Sequence, residues 1–137
     1  MFYRFNFYEE KELLKVKIYG KADLPGMRSR LALLANDHRW KNEYKLLIDY
    51  SNVTVIDEPK EFCSRLAELL SEIPEERLPA GIAYIFPDRL FCQCFDTTQD
   101  VHCIEAGCKI SFFKQEEAAV EWLEKLASIS AETGESS

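Results

Sequence analysis

The sequence predicts an α/β fold of about five strands, mostly parallel, with an antiparallel hairpin at the amino end and four helices. Two observations carry the parallel sheet. Lys45–Tyr50 and Gly81–Phe86 are short, almost continuously apolar runs, as expected of strands covered on both faces. Segments with apolar residues at helical spacing alternate with these runs, and strands alternating with helices require right-handed crossovers between parallel neighbours. A third observation supplies the hairpin: Tyr3–Tyr8 alternates aromatic with polar residues, Glu9–Lys11 interrupts, and Leu14–Ile18 resumes the same period of two.

The elements follow in order. Asp23 is placed to cap a first helix, Pro25 suits its first turn, and Leu24, Met27, Leu31, Leu34 and Ala35 recur at helical spacing up to Asn36. After the strand at 45–50 and a linking stretch to Ile56, Asp57 is expected to cap a second helix whose stripe is Phe62, Leu66, Leu69, Leu70 and Ile73, ended by Pro74. The strand at 81–86 leads through Pro87 and Asp88 into a third helix, predicted to run to Gly107. Lys109–Phe113 is the last strand. Glu116–Leu126 is the last helix, with Ala119, Trp122, Leu123 and Leu126 facing inward. Residues 1–127 therefore form one domain, and 128–137, which have no apolar periodicity, are predicted to be a disordered C-terminal tail.

Composition narrows the partners. A chain of 137 residues that is 47% hydrophobic and 12% aromatic builds one globular core. Its 24 acidic and 17 basic residues give a formal charge of −7, the wrong sign for a groove that neutralises phosphates, so nucleic acid is not an expected partner. No apolar run has the length of a membrane span, and Met1–Glu10 carries charges where a signal peptide needs an apolar stretch, which predicts a cytoplasmic protein.

No cofactor, metal or catalytic set emerges from spacing. Glycines stand only at 20, 26, 81, 107 and 134, which leaves neither Gly-x-Gly-x-x-Gly nor a P-loop. Five cysteines, Cys63, Cys92, Cys94, Cys103 and Cys108, are an odd number with four of them in the predicted third helix, and are not read as a disulfide framework. On that helix Cys94 and Cys108 fall on the apolar side. Cys92 and Cys103 share a polar stripe about 16 Å apart at 1.5 Å per residue, too far to pair. Asp96, Asp100 and Cys103 fall at i, i+4 and i+7, but zinc favours thiolate and imidazole ligands gathered from turns, and Cys92 and Cys94 diverge by about 200° around the helix. His102 is turned about 100° from Cys103, and His38 lies in a charged turn with Arg39 and Lys41. Without a base and its nucleophile the chain is read as non-enzymatic.

Two stretches resemble a known family. Leu47-Ile-Asp-Tyr-Ser-Asn-Val-Thr-Val-Ile-Asp57 resembles the hydrophobic-Asp-Leu-Ser-Gly-Val-x-Phe-Ile-Asp-Ser segment of STAS domains, the fold of the anti-anti-sigma factor SpoIIAA. Gly107–Leu123, with Phe113-Lys-Gln-Glu-Glu-Ala118 and then Trp122-Leu123, is similar to the ending of the SpoIIAA-like (STAS/SEC14-like) proteins. The resemblance implies a right-handed β-α superhelix and a regulatory or protein-interaction module. It departs from the phosphorylatable members at one place: Glu58, followed by Pro59, stands where they carry the acceptor serine. A carboxylate there suits the first turn of a helix and also imitates a charged, phosphorylated state.

The expected partner surface is therefore Ile56, Asp57, Glu58 and Phe62. A second reading follows from SEC14-like relatives: a carrier or sensor of a small apolar, lipid-like ligand, with Phe62, Tyr84, Phe86, Phe91 and Phe95 as its lining and core packing as the plain alternative. The carboxyl ends of the parallel strands are expected to gather Asp23, Asp49 with Tyr50, Asp57 with Glu58, and Asp88 along one rim, where such sheets bind ligands, although Asp23, Asp57 and Asp88 also stand where helix caps are expected. The aromatic first strand needs cover, either from a homodimer across that edge or from the chain's own helices.

Overall fold

A computed structural model describes residues 2–40, 44–97, 99–105 and 108–136. The chain runs β1 (Phe2–Tyr8), β2 (Leu13–Ala22), α1 (Leu24–Ala35), β3 (Lys45–Ile56), α2 (Pro59–Leu66), β4 (Gly81–Ile85), α3 (Asp88–Cys94), β5 (Val101–Glu105), β6 (Cys108–Phe113) and α4 (Glu116–Ser136). One six-stranded sheet has the order β1-β2-β3-β4-β6-β5. The four central strands are parallel, and β1 and β5 lie antiparallel at the two edges. The α/β class, the mostly parallel sheet, the N-terminal antiparallel pair and the four helices are as the sequence implies. The strand number is six rather than five.

The crossovers β2-α1-β3, β3-α2-β4 and β4-α3-β6 each move the chain one strand further in the same direction. Connections of one hand then place α1, α2 and α3 on one face. Met27 and Leu31 of α1, Phe62 and Leu66 of α2, and Phe91 of α3 share a core there with Ile48, Tyr84 and Phe112 of the sheet. The fourth helix takes the opposite face, where Ala119, Leu123 and Leu126 cover Leu47, Ala83 and Ile85. Gly81 admits it: a Cβ at that position would stand 2.5 Å from Leu126 Cδ1.

The sixth strand replaces most of the helix predicted over 88–107. Only Asp88–Cys94 is helical. Phe95 turns to extended backbone, and the Thr97 hydroxyl then accepts from the Gln99 amide at 3.1 Å, the local side-chain bond by which threonine competes with helix. Val101–Glu105 pairs with β6 as a hairpin, His102 opposite Ser111 and Cys103 opposite Ile110. The helical relations drawn among Asp96, Asp100, Cys103 and Cys108 do not exist in the fold. Gly107, the expected terminator, lies outside the described residues, as does Lys41.

The cysteine reading is also corrected. Cys63 of α2 and Cys94 of α3 are joined as a disulfide, with Cα atoms 5.8 Å apart. The sequence argument weighed pairings only within one helix, whereas this bond crosses between two. Cys92 and Cys103 are exposed and Cys108 is buried, its thiol pushed up to about 12 by burial.

Two helix caps differ as well. Asp23 caps α1 as expected, accepting from the Gly26 amide at 2.7 Å. At α2 the cap position is Glu58 rather than Asp57, and at α3 it is Pro87, with Asp88 already inside the helix.

The bond between α2 and α3 closes a loop over a sequence separation of 31. In the chain-entropy description a loop of that size contributes about 3 to 4 kcal/mol. Alkylation in denaturant without reductant is expected to label three cysteines, and all five after reduction, with a fall in melting temperature on reduction. Five labelled cysteines without reductant would show that the bond is absent in the purified protein.

Candidate functional site

The carboxyl end of the parallel sheet is uneven. β4 pairs with β3 only from Lys45 to Asp49, whereas β2 follows β3 to Ile56 with irregularities between Lys17 and Tyr19 and between Gly20 and Lys21. From Tyr50 onward β3 is therefore half of a two-stranded ribbon that outruns the sheet. Arg89 donates to the Ser51 carbonyl at 2.9 Å, where no strand follows on that side. At the tip the Asp57 amide donates to the Ala22 carbonyl at 2.9 Å, and the chain turns into α2.

Glu58 makes that turn with φ of 48°, a left-handed conformation unusual for a residue with a Cβ. Pro59 follows in the first turn, and the Phe62 amide donates to the Glu58 carbonyl at 2.8 Å. The Glu58 side chain makes no capping bond. It shares a hydrogen bond with Glu61, and that bond, followed by the charges of Glu61 and Asp57, raises its carboxyl above the ordinary range. Its exposed surroundings include Lys60, 3.4 Å from Asp96, and Arg65, 3.5 Å from Glu61.

The four predicted partner residues divide sharply. Asp57 and Glu58 are exposed at the ribbon tip, whereas Ile56 and Phe62 are each only 2% exposed and anchor the tip to the core. The expected acidic rim does not converge. Asp23 is taken up in its cap, Asp49 is buried and accepts from the Ser51 amide at 2.8 Å, and Asp88 lies 3.7 Å from Lys114.

The predicted ligand lining is packed on itself. Tyr84, Phe86 and Phe91 are buried and Phe95 is half-buried. Their rings meet one another and Phe112: Tyr84 stacks on Phe112 at 4.9 Å, Phe91 meets Phe95 at 4.8 Å and Phe95 meets Phe112 at 5.0 Å. Tyr50 joins the cluster, 4.6 Å from Phe86. The hydroxyls of Tyr50 and Tyr84 are buried and have no hydrogen-bond partner among the described residues, and burial drives both phenols well above their ordinary range. The aromatic first strand is likewise covered from within: Tyr3, Phe5 and Phe7 pack on the core, with the Arg30 guanidinium 4.0 Å from the Tyr3 ring and that of Arg39 4.4 Å from Phe7.

On the face of α4 the sequence reading missed two features. His102 Nδ1 lies 2.5 Å from the hydroxyl of buried Ser111, opposite it across β5 and β6. An open hollow of about 460 Å³ adjoins this pair, beside Trp122. A larger groove of about 900 Å³ follows the other flank of α4. Of the residues lining that groove, Leu123 and Leu126 belong to the predicted stripe of α4, but the emptiness beside them depends on which strands the helix fails to cover. Among the described residues no cluster of three His, Cys, Asp or Glu is placed to hold a metal, and no helix is long and apolar enough to cross a membrane.

Because the phenol hydroxyls of Tyr50 and Tyr84 lack partners among the described residues, deleting either leaves no orphan behind. Tyr84→Phe and Tyr50→Phe are expected to keep or raise the stability measured by urea unfolding, by up to about 1 to 2 kcal/mol. A loss of that size would mean that the hydroxyls hold a bound molecule.

No family model matches the chain, and no curated protein matches it. Among solved structures it is similar to an uncharacterized protein from the DUF3478 family with a SpoIIAA-like fold, from Shewanella loihica PV-4. The two share 14% identity over 88% of this chain and 93% of that one, with a TM-score of 0.48. The β-α superhelix itself is established by the sheet order and strand directions of this chain.

Proposed function

We propose that the chain is a non-catalytic interaction module that presents the Asp57–Glu58 tip to a protein partner. The observation that carries this reading is Glu58: an exposed side chain on a left-handed backbone, at the end of a ribbon that outruns its sheet. Holding a non-glycine residue there costs about 1 to 2 kcal/mol, and strain of this kind persists where surrounding structure fixes it, which happens most often at functional positions. Ile56 and Phe62 fix it from below. The contact surface is then Asp57, Glu58 and the outward residues of the first turn of α2, with Ile56 and Phe62 as its support rather than part of it. The cluster of Asp57, Glu58 and Glu61 gives this surface a negative character without a kinase, where a phosphorylatable relative would acquire it.

Two substitutions test strain and contact separately. Glu58→Gly removes the Cβ that makes the conformation costly and is expected to raise the melting temperature, while weakening partner capture because the carboxylate is gone. A photo-crosslinker at Asp57, used in cells that express the protein, is expected to trap one polypeptide that is lost when Glu58→Lys is added. The control carries the crosslinker at Lys109, on the opposite side of the sheet. Identical products from both positions would overturn the reading.

A further inference from the structure

We propose that the groove along the flank of α4 is a binding site for an amphipathic carboxylate, a single acyl chain ending in an anionic head. It lies at the amino ends of β2 and β3, away from the Asp57–Glu58 tip, and does not depend on the function proposed for that tip.

The groove follows from coverage. Neighbouring strands stand about 4.8 Å apart, so six of them span about 24 Å, and one helix about 10 Å wide leaves part of that face open. On the other face α1, α2 and α3 share the task. α4 lies over β3, β4 and β6, and among the described residues nothing roofs the hollow beside it above β2. Its volume of about 900 Å³ falls within the roughly 300 to 1,000 Å³ of small-molecule sites.

The chemistry of the walls selects the ligand. Leu13 and Leu47 form the floor and Val120 and Leu123 the helical wall, an apolar channel that follows α4 for about 15 Å at 1.5 Å per residue between Glu116 and Leu126. Lys15 and Lys45 stand over this floor on adjacent strands, Lys15 opposite Leu47 and Lys45 opposite Leu13, while Glu10, Lys11 and Glu12 of the β1–β2 turn and Glu116 and Glu124 of α4 also line the groove. An acyl chain buries its methylenes against the leucines while its carboxylate meets the two ammonium groups on the strand floor, a charge-assisted arrangement that an alcohol cannot reproduce.

One of those lysines is already engaged. Lys15 is ion-paired with Glu116 on the first turn of α4, and its side chain is 18% exposed against 47% for the glutamate. Glu116 therefore occupies the anion position from its solvent side and competes with an incoming carboxylate. This gives the site a signature that a structural ion pair does not have. Removing Lys15 weakens carboxylate binding, and removing its partner Glu116 strengthens it.

The test is an amide-resonance titration of the full chain with decanoate below its micelle concentration, beside decanol and decyltrimethylammonium. The expected result is saturable movement of Leu13, Lys15, Leu47 and Val120, with decanoate bound about tenfold more tightly than decanol, the value of one charge-assisted hydrogen bond. Lys15→Gln should remove that advantage, and Glu116→Gln should tighten decanoate several-fold. Asp57→Lys should leave the titration as it was. The proposal is overturned if no saturable shift occurs, if the cation binds as well as the anion, if Lys15→Gln and Glu116→Gln change affinity in the same direction, or if the shifts centre on Tyr84–Phe95.

Discussion

Coverage of a six-stranded sheet is the constraint on which this molecule depends. Its apolar central strands need both faces closed, and the chain supplies three helices to one face and one to the other. The crowded face becomes the main core, dense enough that aromatic rings from β3, β4, β6 and α3 touch one another. The sparse face leaves hollows on either side of α4. Both the solidity of the aromatic cluster and the openness of the groove are consequences of that single imbalance.

Sequence patterning made the parallel strands and the crossover helices legible because each was a long, consistent run. Gly81–Phe86 could hardly be anything but a buried strand, and the spacing of Ala119, Trp122, Leu123 and Leu126 fits only a helix. The antiparallel strand at 101–105 was hidden because Leu90, Phe91 and Cys94 start a helical stripe that Val101 and Cys108 happen to continue. The countersignal was local: Asp96, Thr97 and Asp100 favour turns, and Val101 and Ile104 are β-branched.

The candidate site was legible in part and for similar reasons. Asp57 and Glu58 could be placed at a strand-to-helix junction from the sequence, but the length by which β3 outruns β4 could not, since it depends on where a neighbouring strand stops. Nor could the burial of Ile56 and Phe62 beneath the tip. The groove was invisible for a deeper reason. Leu13, Lys15, Lys45, Leu47 and Val120 come from three elements, and what unites them is that no helix among the described residues lies above β2.

The bond from Cys63 to Cys94 has a mechanical meaning. Everything between those residues, including β4 at the middle of the sheet, hangs as a closed ring on a shorter path from one chain end to the other. Tension applied at the termini passes from α2 to α3 through the sulfurs and never loads the ring. Stretching such a chain recovers none of the contour stored there, at about 3.3 to 3.6 Å per residue. The central strand can then lose its neighbours without being drawn out itself, and a chain relaxed from tension refolds around a segment whose ends have stayed together.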